Sequence, residues 1–360
     1  MIKIIHAADL HLDSAFAALT PQQARERRAH QRQLVRDLVE LGNEEQVDLI
    51  LLAGDLFDGE NAYYETAEAL SDAFSKSRAR IFIAPGNHDP YSADSPYRSV
   101  RFSENVHLFR AQTIERVPLP QLGCVVYGAG FVTPACATPL LAHFCAHDDA
   151  LSLMVLHGEV GNPASTYNPI SEQQIGASGL DYLALGHVHS ASGLLRAGET
   201  VYAYPGTPEG RGFDEIGEKG ILIGTVAPGA IDLKFRKISP YSYTERIINI
   251  EESNLDSILQ QIPADCTHEV CRMILQGACA APDLAAWEQA LSGRFYSLRL
   301  IDRSHAPRDI WAAVEEESVK GMFLRRLRAM METADEETRH VLARAAAYGV
   351  AALENREDVR

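Results

Sequence analysis

The chain has 360 residues, 46% of them hydrophobic and 8% aromatic, which is enough for a substantial core and too long for one small module; two domains, or one large domain with an appendage, are expected. With 33 basic against 49 acidic residues the formal net charge is −16, so any polyanion has to be met by a local basic patch or by bound metal ions. Cys124, Cys136, Cys145, Cys266, Cys271 and Cys279 form no C-x-x-C pair, which argues against a zinc ribbon or a disulfide-stapled secreted domain and for reduced thiols in a cytoplasm. The opening MIKIIH runs into a charged motif with no room for a signal peptide ahead of it, and no apolar run approaches the ~20 residues of a spanning helix. A cytoplasmic protein with no membrane partner is the expectation.

Apolar runs at 2–7, 47–53, 80–84, 123–128, 151–157, 181–186, 200–204, 220–226 and 231–237 predict strands, most of them continuous enough to be buried on both faces. Between the first two, Thr20-Pro21 opens a helix over about 21–42 with Leu34, Val35, Leu38 and Leu41 on one stripe. A second helix around 62–77 carries Thr66, Leu70 and Phe74 at four-residue spacing. Strand alternating with helix is the order of an α/β fold. From about 194 strands follow one another through turns such as Pro205-Gly206, which predicts an antiparallel second sheet. Lys237 to Pro240 reads as a boundary. Beyond it a small α/β unit is expected, with strands at 243–250, 268–276 and 295–301 and helices at 253–262 and 282–291. After 304 the pattern is helical, with Ile310, Val314, Met322, Phe323, Leu327 and Met330 at three- and four-residue intervals.

The placement of polar residues decides the functional reading. Successive apolar strands end in Asp9-Leu10-His11, in Gly54-Asp55-Leu56-Phe57-Asp58, in Gly86-Asn87-His88-Asp89, in His157-Gly158 and in Gly186-His187-Val188-His189. In an open α/β sheet, side chains from separate loops converge at the carboxyl edge of the strands. Asp and His together suit divalent manganese, zinc or iron, and the preceding glycines let the backbone turn sharply off each strand. One histidine at a strand end is ordinarily a surface or satisfied core residue. Five of the 13 histidines, each at or just past the end of an apolar run and joined by Asp9, Asp55 and Asn87, point instead to a metal site.

The ordered set D-x-H, G-D-x-x-D, G-N-H-D, H-G and G-H-x-H resembles the calcineurin-like metallophosphoesterase superfamily. The start IHAADLHL, the YPGTP segment 204–208, Phe213-Asp-Glu215 and the FLRRL segment 323–327 are similar to the SbcD-type bacterial DNA repair exonucleases and their YhaO-like relatives. Motif agreement covers residues 1–236; the last third matches mainly in layout. The resemblance implies a four-layer αββα metallophosphoesterase sandwich over 1–238, a small α/β capping domain over 239–303 and a C-terminal helical segment over 304–360. It implies two divalent metal ions, manganese by resemblance although Fe2+ or Zn2+ fit the same ligands. Asp9, His11, Asp55 and His189 would hold one ion and Asp55, Asn87, His157 and His187 the other, with Asp55 bridging. His88 is then the group over the phosphate, and Asp58 its orienting partner; some relatives carry a histidine in place of Asp58.

The activity implied is metal-dependent hydrolysis of phosphodiester bonds in DNA, as an exonuclease or endonuclease in repair or end processing. The partners implied are DNA and an SMC-like coiled-coil ATPase, for which Arg325, Arg326 and Arg328 around Phe323, Leu324, Leu327 and Met330 form a docking surface, unless that helix packs on its own domain. Arg25, Arg28, Arg32 and Arg36 share one face of the first helix; a phosphate-tracking or homodimer face competes there with a solvated face paired with Glu26, Asp37 and Glu40, and the solvated face is preferred. Two further readings stay open: a phosphodiesterase or phosphatase for a small nucleotide or other phosphate ester, which the acidic surface favours, and a DNA-end-binding scaffold with vestigial catalysis.

Overall fold

A computed structural model of the chain describes residues 1–59, 62–147, 150–250, 255–279, 282–305 and 309–355. In chain order its strands are β1 (Ile2–Ala7), β2 (Leu49–Leu52), β3 (Arg80–Ile83), β4 (Val106–Leu108), β5 (Glu115–Leu119), β6 (Cys124–Gly128), β7 (Leu151–His157), β8 (Glu159–Val160), β9 (Pro169–Ile170), β10 (Tyr182–Gly186), β11 (Leu195–Ala197), β12 (Thr200–Ala203), β13 (Ile221–Ala227), β14 (Ala230–Arg236), β15 (Ser242–Asn249), β16 (Cys266–Ala278) and β17 (Phe295–His305). The helices are α1 (Pro21–Glu44), α2 (Tyr64–Ser75), α3 (Glu172–Ala177), α4 (Leu255–Gln261), α5 (Leu284–Ser292), α6 (Val319–Glu332) and α7 (Glu336–Leu353).

The chain divides into two compact units, Met1–Thr244 with His268–Val270, and Glu245–Thr267 with Cys271–Arg360. The first is built on two six-stranded sheets, in the orders β14-β13-β1-β2-β3-β4 and β11-β12-β10-β7-β6-β5. Because β1, β2 and β3 pair in parallel, as do β6, β7, β10 and β12, each half of the unit delivers several strand carboxyl ends to one edge. Three apolar layers hold the sandwich. Ile5, Ile50 and Ile81 on the outer face of the first sheet pack with Val35, Leu38, Leu70 and Phe74 of α1 and α2. Ile4, Leu51, Phe82, Leu153, Val155 and Tyr182 fill the space between the sheets. Met154, Leu156, Leu183 and Leu185 on the outer face of the second sheet meet Ile175 of α3 and Leu141. The order of layers is α, β, β, α.

The strands between 194 and 240 do not form a sheet of their own. β13 and β14 are antiparallel, yet β13 joins the first sheet through β1, and the β11–β12 hairpin joins the second through β10. The physical reason lies in the central strands. The runs that build both sheets are equally apolar, so the sequence does not show which of them share a sheet, and the late hairpins fill edges on both. The short strands β4 and β5 carry the polar, partly exposed residues of sheet edges and lack a two-sided apolar pattern.

In the second unit the sheet order is β15-β16-β17, with α4 and α5 contributing Ile258, Trp287 and Leu291 to one core. Residues 253 and 254 of the helix expected over 253–262 lie outside the described residues, as do 306–308 and 356–360 of the expected helical segment. There, Leu324 and Leu327 of α6 pack with Leu342, Ala346 and Val350 of α7 and with Val314, so most of the predicted apolar stripe is consumed within the hairpin. The Arg325 guanidinium donates to the Val314 and Glu316 carbonyls at 2.5 and 3.1 Å.

Three of the four arginines on that face of α1 are used by the chain itself. Arg28 donates to the Ser14 carbonyl at 3.4 Å, Arg32 to Thr66 Oγ1 at 3.3 Å beside Asp13 and Glu65, and Arg36 to Gln33 at 3.0 Å. Beside Arg28, Arg27 is fully buried, its Nη2 2.5 Å from Glu209 Oε1, with the Tyr241 ring centroid 3.5 Å from its Cζ. Glu209 also accepts from Ser239 Oγ and lies 3.1 Å from His30 Nε2. The pair clamps α1 to the segment that carries Arg211 and Glu215. Removing one partner strands a buried charge, so Arg27→Ala is expected to lower stability by about 3–5 kcal/mol in urea unfolding. A loss below ~1 kcal/mol would show that the pair is solvated.

Candidate metal centre

The expected residues meet at the joined carboxyl edges of β1, β2, β3, β7 and β10. Glycines make the approach possible: Gly54 has φ +92° and lies under the His157 ring, where a Cβ would overlap the imidazole, and a Cβ on Gly86 would overlap Asp55. Asp9, His11, Asp55 and His187 all have positive φ, at 54, 43, 50 and 106°, an uncommon conformation for residues with side chains. Backbone bonds from Asp9 N to the Gly54 carbonyl and from His11 N to the Asp55 carbonyl, both 2.9 Å, hold these turns in place.

Two groupings result. In one, His11 Nε2 and His189 Nε2 are 3.2 Å apart and Asp9 is within reach of both. In the other, His157 Nε2 lies 2.9 Å from Asn87 Oδ1 and 3.4 Å from Asp55 Oδ2, while His187 Nδ1 lies 3.2 Å from Asn87 Oδ1. Asp55 Oδ2 is also 3.8 Å from His11 Nε2, so this one carboxylate oxygen stands between the groupings, the position a bridging ligand needs.

Tautomers follow from the outer partners. His157 Nδ1 faces the Ala53 carbonyl at 2.9 Å; a carbonyl only accepts, so Nδ1 carries the hydrogen and Nε2 presents a lone pair. His189 Nδ1 is held by Glu215 Oε1 at 2.7 Å, which leaves its Nε2 bare toward His11. The His157 lone pair thus faces carboxylate and amide oxygens, and that of His189 faces the His11 ring nitrogen. Such contacts repel unless a cation lies among them, and nitrogen and oxygen donors in this mixture suit a divalent transition metal. The residues present fit the implied ions.

Burial, reinforced by their mutual repulsion, raises the pKa of Asp9, and burial raises that of Asp55. Burial also pushes His157 and His187 down to about 4, and lowers His11. The pocket therefore favours neutral imidazoles, the ligating form, and makes two adjacent carboxylates costly in the absence of positive charge.

His88 is exposed at the rim. Its N–H donates to Asp55 Oδ1 at 2.9 Å, and its ring meets that of His11 edge-on at 4.8 Å. Its Nδ1 contacts Asp58 through the Asp58 backbone carbonyl at 3.2 Å. The Asp58 carboxylate is turned elsewhere: it accepts from Arg211 Nη1 at 2.8 Å and lies 3.0 Å from His11 Nδ1. Asp58 thus reaches His88 by its main chain and His11 by its side chain.

Three contributors carry no role in the sequence reading. Glu215 binds His189 and Arg211; burial opposes its ionisation, but those two partners prevail and hold its pKa well below the usual range. Arg211 joins Glu215 to Asp58. Asp89, fully buried, accepts from Gly86 N, Leu56 N, Phe57 N and Tyr97 Oη at 2.7, 2.7, 3.2 and 2.5 Å, tying the β2 and β3 loops together; burial raises its pKa to about 6. The signal for the first two was an Arg and a Glu four residues apart around Gly212, of which only Glu215 fell in a segment recognised as a marker. A carboxylate behind a ligating imidazole sets its tautomer, and losing it ordinarily weakens metal affinity about 10–100-fold. Glu215→Gln is expected to do so in a manganese titration followed by electron paramagnetic resonance. Unchanged affinity would remove the orienting role.

Comparison with known proteins agrees with this geometry. The family profile described as calcineurin-like phosphoesterase matches residues 2–191. The chain is 29% identical over 297 residues to the uncharacterized metallophosphoesterase YhaO of Bacillus subtilis, covering 77% of this chain and 72% of that protein. It is 26% identical over 272 residues to the SbcD subunit of the nuclease SbcCD of the same organism, covering 63% and 67%. With the DNA double-strand break repair protein Mre11 of Saccharolobus solfataricus it shares 26% identity over 240 residues, covering 62% and 60%.

Proposed function

The chain belongs to the calcineurin-like phosphoesterase family, and from that premise we propose that it is a two-metal DNA nuclease that uses manganese and works with an SMC-like ATPase. The observation that carries the phosphoesterase chemistry is the set of facing lone pairs among Asp9, His11 and His189 and among Asp55, Asn87, His157 and His187. Two relatives named as a nuclease subunit and as a DNA double-strand break repair protein support DNA as the substrate.

Divalent ions held there would supply Lewis-acid polarisation of the phosphoryl group and a water of lowered pKa. The chain's own residues do the rest. Asp9 and Asp55 are fixed by the His187 and His88 amides, so their oxygens need no reorganisation when substrate enters. His88 has Nδ1 committed to the Asp58 carbonyl, which leaves Nε2 as the atom that meets the phosphate. As an imidazolium it donates to a non-bridging oxygen or passes its proton to the leaving 3′ oxygen. Arg211 stands behind His189 and Asp58 with both guanidinium ends engaged by acids, so it positions and does not bind substrate.

The ATPase reading rests on what α7 leaves uncovered. Val319, Met322 and Met330 of α6 lie on one exposed face, Met322 at 66% exposure, and offer an apolar strip for a coiled-coil helix. Met322→Glu with Met330→Glu is expected to abolish binding of an SMC-type coiled coil to the full-length protein; retained binding would place the contact elsewhere. The net charge of −16 favours the second reading, a small phosphate ester as substrate.

The deciding assay takes metal-stripped protein, restores manganese, and follows labelled linear DNA and a bis-phenyl phosphodiester, with His88→Ala alongside. DNA degradation that needs the metal and falls about 10²–10³-fold in the variant, with two metals still bound, is the expected result. Hydrolysis of the small ester alone would support the second reading, and loss of metal in His88→Ala would make that residue a ligand.

A further inference from the structure

Tyr91 lies three residues beyond His88, its N–H donating to the Phe131 carbonyl at 2.7 Å. Two exposed arginines share its ring: Arg98 has its Cζ 4.4 Å from the ring centroid and Arg110 has its Cζ 5.7 Å away. Both are held in register with the metal centre. Arg98 follows Tyr97, whose hydroxyl donates to Asp89, the neighbour of His88. Arg110 follows Phe109, whose N–H donates at 2.9 Å to the carbonyl of Ile83, the last residue of the strand that leads to Asn87 and His88.

Among the described residues neither guanidinium is ion-paired, and Asp94, the acid of the same loop, is paired with neither. This sets them apart from Arg27, Arg32 and Arg211, each of which lies against a carboxylate. A guanidinium over a tyrosine ring uses its face, which leaves its edge of N–H donors free. Phosphate oxygens are the ligands that such an edge recognises in bidentate fashion.

We infer that Tyr91, Arg98 and Arg110 form a subsite for the backbone phosphates of the nucleic acid strand flanking the scissile bond. The inference rests on the nuclease reading and deepens it, since a small ester has no flanking phosphates to offer. Tyr91 fixes two mobile side chains at the rim, so less rotamer freedom is lost when a strand arrives. In a chain of net charge −16, the subsite supplies the local positive surface that a polyanion requires.

The test measures anisotropy of a labelled linear duplex across a salt series, in manganese and on the His88→Ala background so that the DNA persists. Arg98→Gln with Arg110→Gln is expected to weaken binding and to flatten the log–log salt slope by about 1.8, the value for two lost phosphate contacts. With His88 intact, the same pair of changes is expected to leave metal content and kcat/KM on the bis-phenyl phosphodiester unchanged, which also reports intact folding. DNA bound with an unchanged slope would overturn the subsite and leave the nuclease reading standing. No duplex binding by the His88→Ala protein, together with small-ester turnover by wild type, would overturn both.

Discussion

The close approach of the two sheets at their carboxyl ends is the constraint on which the site depends. Gly186 of β10 sits against the Ala53 carbonyl at the end of β2, so closely that any Cβ there would overlap the oxygen. That approach lets His157 of the second sheet donate to Ala53 of the first, and lets Asp9 of the first accept the amide of His187 from the second. The metal-capable atoms are therefore distributed across an interface, and the apolar layer of Leu51, Phe82, Val155 and Ala184 sets their spacing as well as the stability of the sandwich. Packing changes of one methylene in such a layer are felt by the side chains above it.

His6 and His157 show how similar histidines are given different work. Both lie on central strands and are buried, and burial lowers both pKa values, to about 3 and about 4. His6 meets the Tyr182 hydroxyl with Nδ1 and the Leu185 carbonyl with Nε2, so a donor and an acceptor satisfy both nitrogens and the ring serves as a hydrogen-bonded link between the sheets. His157 has the Ala53 carbonyl at Nδ1, and its second nitrogen faces the oxygens of Asn87 and Asp55. Availability of a ring nitrogen for a metal is decided by the partner at the far nitrogen, a property of two distant segments.

That difference explains what was legible in the sequence. The central strands and α1 followed from apolar periodicity and capping, and the strand-end Asp, Asn and His residues could be read because the carboxyl edge of a parallel sheet gathers whatever its loops carry. Sheet membership could not be read, since β1 to β3 and β6 to β12 use the same kind of apolar run. Nor could the supporting contacts. Glu215 reaches His189 across 25 intervening positions, and Asp89 meets Leu56 and Phe57 from another loop. Four positive-φ positions among Asp9, His11, Asp55 and His187 had no glycine or asparagine to announce them.

The accounting of charge connects these features to substrate choice. Inside the first unit the buried Arg27 is neutralised by Glu209 and the half-buried Arg211 by Glu215 and Asp58, while the buried Lys219 ammonium donates to the His189 carbonyl at 2.9 Å. These pairs stiffen the frame behind the ligands, but they offer no field to an incoming anion. The centre itself concentrates Asp9, Asp55 and Asp89, and burial raises all three pKa values, so without bound ions it has no positive charge to offer a phosphate. Attraction has to come from ions held at the centre and from cations on the solvent side of the frame, with donors still uncommitted. An overall acidic chain accommodates a long anionic substrate under that division, in which Arg27 and Arg211 are paired within the fold and recognition cations stand at its rim.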